Sequence, residues 1–291
     1  MFFTESKLNA RLKQLSEARY RDAIPLTAFG AVEDRHGEIG EAPPAGEPEF
    51  ELRLGETWKG RDRYVWLTRS VEIPSEWAGK TALGRFDFGE TGGGNNDGFE
   101  ALLYWNGAPY QGVDSNHQEV FLPTGSAGST GRLDIRLWSG LEGGGPPRER
   151  AHTIRRAELC WLDEQTDDLY YTGTAVLDTI RVLENGCSDR IALTKALDRA
   201  LLAIDWSYPE SEAFYASVCE ARERLHEELS KLDKHSAVTV TAVGHTHIDV
   251  AWLWRLKHTR EKSARSFSTV LRLMERVPEY VFLQTQPQLY A

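Results

Sequence analysis

Between residues 244 and 254 the chain reads Gly-His-Thr-His-Ile-Asp-Val-Ala-Trp-Leu-Trp. His245, His247 and Asp249 fall at alternate positions, and in extended chain alternate side chains point to one side. Imidazole nitrogens with a carboxylate oxygen form a mixed donor set suited to Zn²⁺ and similar divalent ions. A complete site of that kind needs three or four protein ligands, so this segment supplies only part of one. Trp252 is most simply a packing residue; beside a polar cluster, its alternative use is to floor a pocket against the C–H side of a sugar.

The elements that must hold these residues are written on either side of them. Val238-Thr-Val-Thr-Ala-Val243 is β-branched and ends at Gly244, which predicts a strand. Thr259 is placed to cap a helix with an apolar stripe of Ala264, Phe267, Val270, Leu271, Met274 and Val277, and Pro278 stops it. Tyr280-Val-Phe-Leu283 is apolar throughout, as a parallel strand covered on both faces should be. Strand, helix and strand at this spacing predict a βαβ unit with a right-handed crossover. Its loop at the carboxyl end of the first strand is where parallel α/β sheets bind ligands.

Upstream, the periodicity changes twice. Leu8, Leu12, Leu15 and Ala18 predict a helix over residues 4–20, and the Gly/Pro/Glu-rich stretch from Gly37 to Pro48 predicts a linker. From Phe50 to about Tyr171 the pattern is all-β. Leu133, Ile135 and Leu137 alternate with Asp134 and Arg136, and Phe86 and Phe88 with Arg85 and Asp87. Asn106-Gly107 predicts a tight hairpin, while Gly92–Gly98 and Gly143–Pro147 predict loops. Short strands separated by turns imply a jelly-roll-like sandwich, whose core absorbs most of the nine Trp, ten Tyr and eleven Phe. Period 3.6 then returns in Ser188–Trp206 and Ser211–Leu232. The expected organisation is multidomain α+β. Residues 1–45 form a helix and linker, 46–172 a β-sandwich, 173–235 a helical bridge, and 236–291 the first βαβ unit of an incomplete α/β barrel.

Composition removes several classes of function. A net charge of −10, with 34 Lys+Arg against 44 Asp+Glu, disfavours sequence-independent binding to nucleic acid. No run approaches the ~20 apolar residues of a membrane span. The first seven residues turn charged too early for a secretory signal. Cys160, Cys187 and Cys219 lack close pairing, so a cytoplasmic protein with free thiols is expected.

GHTHIDVAWLWRLKHTREKSARSF followed by VFLQTQPQLY closely resembles the start of the catalytic domain of glycoside hydrolase family 38, the zinc-dependent α-mannosidases. WKGRDRYVWLTRSVEIP and RFDFGETGGGNNDGFEALLYWNGAPYQGVD resemble the amino-terminal domain of the cytosolic and bacterial branch of that family. The resemblance implies that His247 and Asp249 ligate Zn²⁺, that Trp252 packs against mannose, and that His245 supports the ligands. It assigns Arg265 and Gln286 more loosely to the pocket rim. The substrate implied is a mannose-containing oligosaccharide, cleaved with retention. The catalytic nucleophile, the acid/base and the remaining zinc ligands of the family are expected beyond Ala291, which makes this chain an inactive amino-terminal fragment that holds no stoichiometric zinc. A βαβ unit of this size is marginal alone. It is expected to dock on the rest of the chain, to associate with another copy into a homo-oligomer, or to stay partly disordered. Two rivals stand beside this reading. One is an amidohydrolase-like enzyme ligating metal through His245 and His247; the other is a non-enzymatic carbohydrate-binding module built on the sandwich.

Overall fold

The computed structural model describes residues 4–40, 42–89, 98–142, 144–233 and 238–290. In chain order the elements are α1 (Thr4–Ala18), β1 (Tyr20–Pro25), β2 (Ala28–Asp34), β3 (Phe50–Arg53), β4 (Thr57–Gly60), β5 (Tyr64–Glu72), β6 (Thr81–Asp87), β7 (Glu100–Trp105) and β8 (Ala108–Val113). They continue with β9 (Glu119–Phe121), β10 (Thr130–Trp138), β11 (Arg150–Thr153), β12 (Arg156–Leu162), α2 (Glu164–Val182), α3 (Ser188–Ala203) and α4 (Glu212–Ser230). The last are β13 (Gly244–His245), α5 (Leu256–Arg276) and β14 (Phe282–Leu283). Two compact units result, one of residues 1–22 with 161–239, the other of residues 23–160 with 240–291.

The first unit is helical. The Leu8–Leu12–Leu15 stripe of α1 is buried with Leu169, Leu177 and Ile180 of α2, Leu197 of α3, and Phe214, Val218 and Leu225 of α4. The amino-terminal helix is therefore part of the bundle rather than a separate lead-in, because an amphipathic stripe needs an apolar partner to be stable. Close approach of α1 and α2 depends on Gly173, where an added Cβ would lie 2.7 Å from Leu12 Cδ2. The predicted all-β stretch to Tyr171 overran α2. Its start is marked by Asp163, whose Oδ1 accepts the Thr166 amide at 3.0 Å.

In the second unit a six-stranded sheet runs β3-β2-β5-β10-β7-β8 and a four-stranded sheet runs β1-β12-β6-β9. The strands begin well before residue 46, since β1 and β2 join the sheets. Along β10 the pairing with β5 is unbroken from Thr130↔Glu72 to Trp138↔Tyr64, and antiparallel β7 flanks the other side. Asn106 and Gly107 have φ of 51° and 82°, the two positive angles that a type I′ hairpin turn requires. Inward-facing Leu67, Leu103, Ile135, Leu83 and Phe86 are fully buried, and Phe88 meets Phe29 with ring centroids 6.3 Å apart. The stretch from Gly37 to Pro48 holds no helix or strand among its described residues, while most of the predicted Gly92–Gly98 loop lies outside them.

Between Leu133 and Leu137 the polar positions of β10 are as buried as the apolar ones: Asp134 is 1% exposed and Arg136 5%. This second face of the sheet also carries Tyr64, Trp66, Tyr104 and Trp138, and α5 packs against its β7–β8 side. The aromatic richness of the strands thus serves two faces.

Residues 238–290 depart most from expectation. The predicted strand over Val238–Val243 is exposed coil; only Gly244–His245 pairs, parallel to Phe282–Leu283. A β-branched run becomes a strand only where a neighbour completes its ladder, and none of the described strands pairs with residues 239–243. Val281 and Leu283 are more than half exposed, so β14 is not a strand covered on both faces. Helix α5 starts after Arg255 rather than at Thr259, which sits inside the first turn. Its predicted apolar stripe is only half covered: Phe267 meets Phe282 and Tyr290, ring centroids 6.4 and 5.0 Å apart, while Leu271 is 54% exposed. What α5 buries instead is His258, Thr259, Glu261 and Ser263.

Candidate functional site

Immediately after β13 the chain leaves regular structure, and Ile248, between His247 and Asp249 in sequence, is buried. His247 Nε2 and Asp249 Oδ1 are hydrogen-bonded at 3.1 Å, so two donors suited to a cation face one another at the carboxyl end of a parallel strand. Both side chains are open to solvent, 74% and 42% exposed. His245, on the strand itself, lines the same cleft. Among the described residues no group of three or more His, Cys, Asp or Glu could hold a metal ion. The donor pair fits the chemistry of zinc as a partial shell.

The cleft measures about 430 Å³ and lies between β13–β14, α5 and the end of β8. Its walls include Glu100, Asp114, His117, Trp254, Lys262 and Arg265. Glu100 pairs with both Lys262 and Arg265. Burial lowers Lys262 to a pKa of about 8 and Arg265 to about 10. On the facing loop, Asp114 accepts the amides of Asn116 and His117 and the His117 ring. Burial opposes charge on Asp114, yet those hydrogen bonds outweigh it and hold its carboxyl below the usual range.

Other residues singled out from the sequence sit apart. Trp252 is 58% exposed and packs edge-on against Trp254, ring centroids 5.5 Å apart; Trp254, not Trp252, lines the cleft. Arg265 is at the cleft wall, but its guanidinium is committed to Glu100. Gln286 donates its amide to Gln284, and Gln284 is the buried member, donating Nε2 to the Thr246 carbonyl at 2.8 Å.

The loop is held by Thr259, which the sequence marked only as a helix cap. The Thr259 hydroxyl donates to the Asp249 carbonyl at 3.1 Å and accepts from the Ala251 amide at 3.1 Å and the Trp254 indole at 3.0 Å. One donor and two acceptors exhaust a hydroxyl. Behind Thr259, α5 meets the sheet through charge. Glu261 takes the Tyr64 hydroxyl at 2.7 Å and pairs with Arg136, which also reaches Asp34 Oδ2 at 2.7 Å. Burial raises the Glu261 pKa against the pull of Arg136. The only sequence signal for this interface was the charge at every second position of β10.

Residues 237–291 match the family described as "Glycosyl hydrolases family 38 N-terminal domain". Alpha-mannosidase G of Dictyostelium discoideum is 25% identical over 285 residues, covering 93% of this chain and 23% of that protein. Alpha-mannosidase 2C1 of Homo sapiens is 24% identical over 308 residues, covering 99% of this chain and 27% of its own. Residues 237–291 are therefore a family 38 segment, and the chain as a whole is similar to α-mannosidases. The chain spans about a quarter of the length of these curated relatives. Among solved structures, a Faecalibacterium prausnitzii β-glucuronidase covers 50% of this chain and 32% of its own at 12% identity, with a TM-score of 0.38. A superposition that loose fixes no detail of the fold.

Proposed function

We propose that this chain contributes the sugar-facing opening of an α-mannosidase acting on mannose-containing oligosaccharides. The observation that carries the reading is the 3.1 Å contact of His247 with Asp249, within the segment that matches family 38. These two residues would supply two ligands to zinc, with His245 beside them and Trp252 offering an indole face to the sugar. Bound there, zinc supplies a Lewis-acid anchor for sugar hydroxyls, a templating role. The chain's own contribution is placement: Ile248 seats the strand end, Gln284 fixes Thr246, and Thr259 holds the Asp249 carbonyl. Glu100 is held by Lys262 and Arg265, and Asp114 by the His117 ring and two backbone amides, so neither is assigned as nucleophile or acid/base. A retaining pair about 5–5.5 Å apart must come from elsewhere.

The test uses a polypeptide of the relatives' length that contains this sequence. It should hydrolyse 4-nitrophenyl α-mannoside and lose that activity on chelation, and His247→Ala or Asp249→Asn should lower both activity and zinc content at least tenfold. The 291-residue chain alone should hold far less than one zinc by metal analysis. Amide or lactone hydrolysis that requires His245 but not Asp249 would overturn the reading.

A further inference from the structure

We propose that Asp62, in the turn between β4 and β5, is a positioning residue that fixes the loop carrying His247 and Asp249. The inference rests on the α-mannosidase reading only for what that loop binds, since the anchoring itself is drawn from geometry. Asp62 Oδ1 accepts the Trp138 indole at 2.9 Å and the His258 ring at 2.8 Å, and Oδ2 pairs with Arg255. His258 Nδ1 accepts the Arg255 amide at 3.0 Å, the reciprocal half of a capping box. With Nδ1 an acceptor, the ring proton lies on Nε2 and is donated to Asp62. Trp138 stacks on that ring, centroids 4.6 Å apart at 25°.

One aspartate on the sheet thus sets where α5 begins and how it is turned. The next residue, Thr259, grips the Asp249 carbonyl and the Ala251 amide. Ala251 has φ of 66°, a left-handed backbone that an L-residue keeps only where its surroundings over-determine it. The turn around Asp62 is braced in its own right. Asp62 has φ of 55° and donates its amide to the Gly140 carbonyl at 3.1 Å. Gly140 in turn has φ of 81° and no room for a Cβ, which would stand 2.2 Å from the Gly98 carbonyl oxygen. The path runs from a rigid turn through an imidazole and a hydroxyl to the backbone between two candidate ligands and the tryptophans.

Hydrogen exchange on the 291-residue chain tests this. In Asp62→Ala, exchange of the Ala251 amide and the Trp254 indole should speed up at least tenfold, while the β5 and β10 amides keep their protection. Neither reporter touches Asp62, so a purely local role would leave both unchanged. His258→Leu breaks the path from the helix side with Asp62 and Trp138 intact, and it should give the same acceleration even if Asp62→Ala unfolds the sheet. Thr259→Val should match it and Thr259→Ser should restore wild-type rates. In a polypeptide of the relatives' length, Asp62→Ala should also raise the zinc dissociation constant at least tenfold. Wild-type exchange at Ala251 and Trp254 in His258→Leu overturns the anchoring, as does unchanged zinc affinity in Asp62→Ala. A wild-type protein that binds no zinc while the exchange results hold refutes the function reading alone.

Discussion

The sheets and the segment from residue 240 onward are built on opposite plans. Within the sheets, Leu67, Leu83, Phe86, Leu103 and Ile135 are sealed and the apolar surface is spent inward. In the later segment Val250, Trp252, Leu271, Val281 and Leu283 face solvent, while His258, Glu261 and much of Lys262 and Arg265 are packed against the sheet. The lesson is that a helix can be held by matched charges with its greasy side out. Charges taken out of water must be paired, and here each has a partner: Glu261 has Arg136 and Tyr64, Glu100 has Lys262 and Arg265, and Asp62 has Arg255 and His258.

Breaking the two plans separately should expose the difference. The largest effect is expected from Phe86→Ala, which empties a sealed site stacked on Phe88 and should cost about 4 kcal/mol in urea unfolding of the whole second unit. Glu261→Ala should cost about 2 kcal/mol, because the buried Arg136 then keeps only Asp34 and the Tyr64 hydroxyl loses its acceptor. That loss should appear as proteolysis and exchange confined to α5, with the sheet protection retained.

Acid should then loosen the charged interface before the apolar one. Burial first, and then the nearby cations Arg255, Lys257 and Lys262, lower His258 from 6.5 to about 3. An imidazole that is neutral when docked and basic when released takes up a proton on undocking. Docking of α5 therefore weakens as pH falls from about 6.5 towards about 3, by up to about 1.4 kcal/mol per pH unit. Amide exchange within α5 measured across that range, against β10 as reference, checks the slope. Equal loss in both regions would refute it.

How far the sequence was legible follows the same divide. The Asn106-Gly107 turn, the Leu133–Leu137 alternation and the α3 and α4 stripes were readable because each depends on local angles or on one buried face. The close placement of His247 and Asp249 was readable for the same reason, since period two brings neighbours to one side. The first half of α2 was read as strand because Tyr170 and Tyr171 look like strand residues, and only the Asp163 cap and acidic first turn spoke for a helix there. The orientation of α5 was missed because amphipathicity predicts which side is apolar, not which side finds a partner. The roles of Asp62 and His258 depend on a contact across 196 residues of sequence, and no period reports that.

The way α5 is attached also fixes its rotation about its own axis. Leucines meeting leucines can slide by a methylene at little cost, but a carboxylate seated between a guanidinium and a phenol has a single register. The outward row of Leu271, Val277 and their neighbours is consequently presented at one angle to the strands beneath, as teeth are on a keyed shaft.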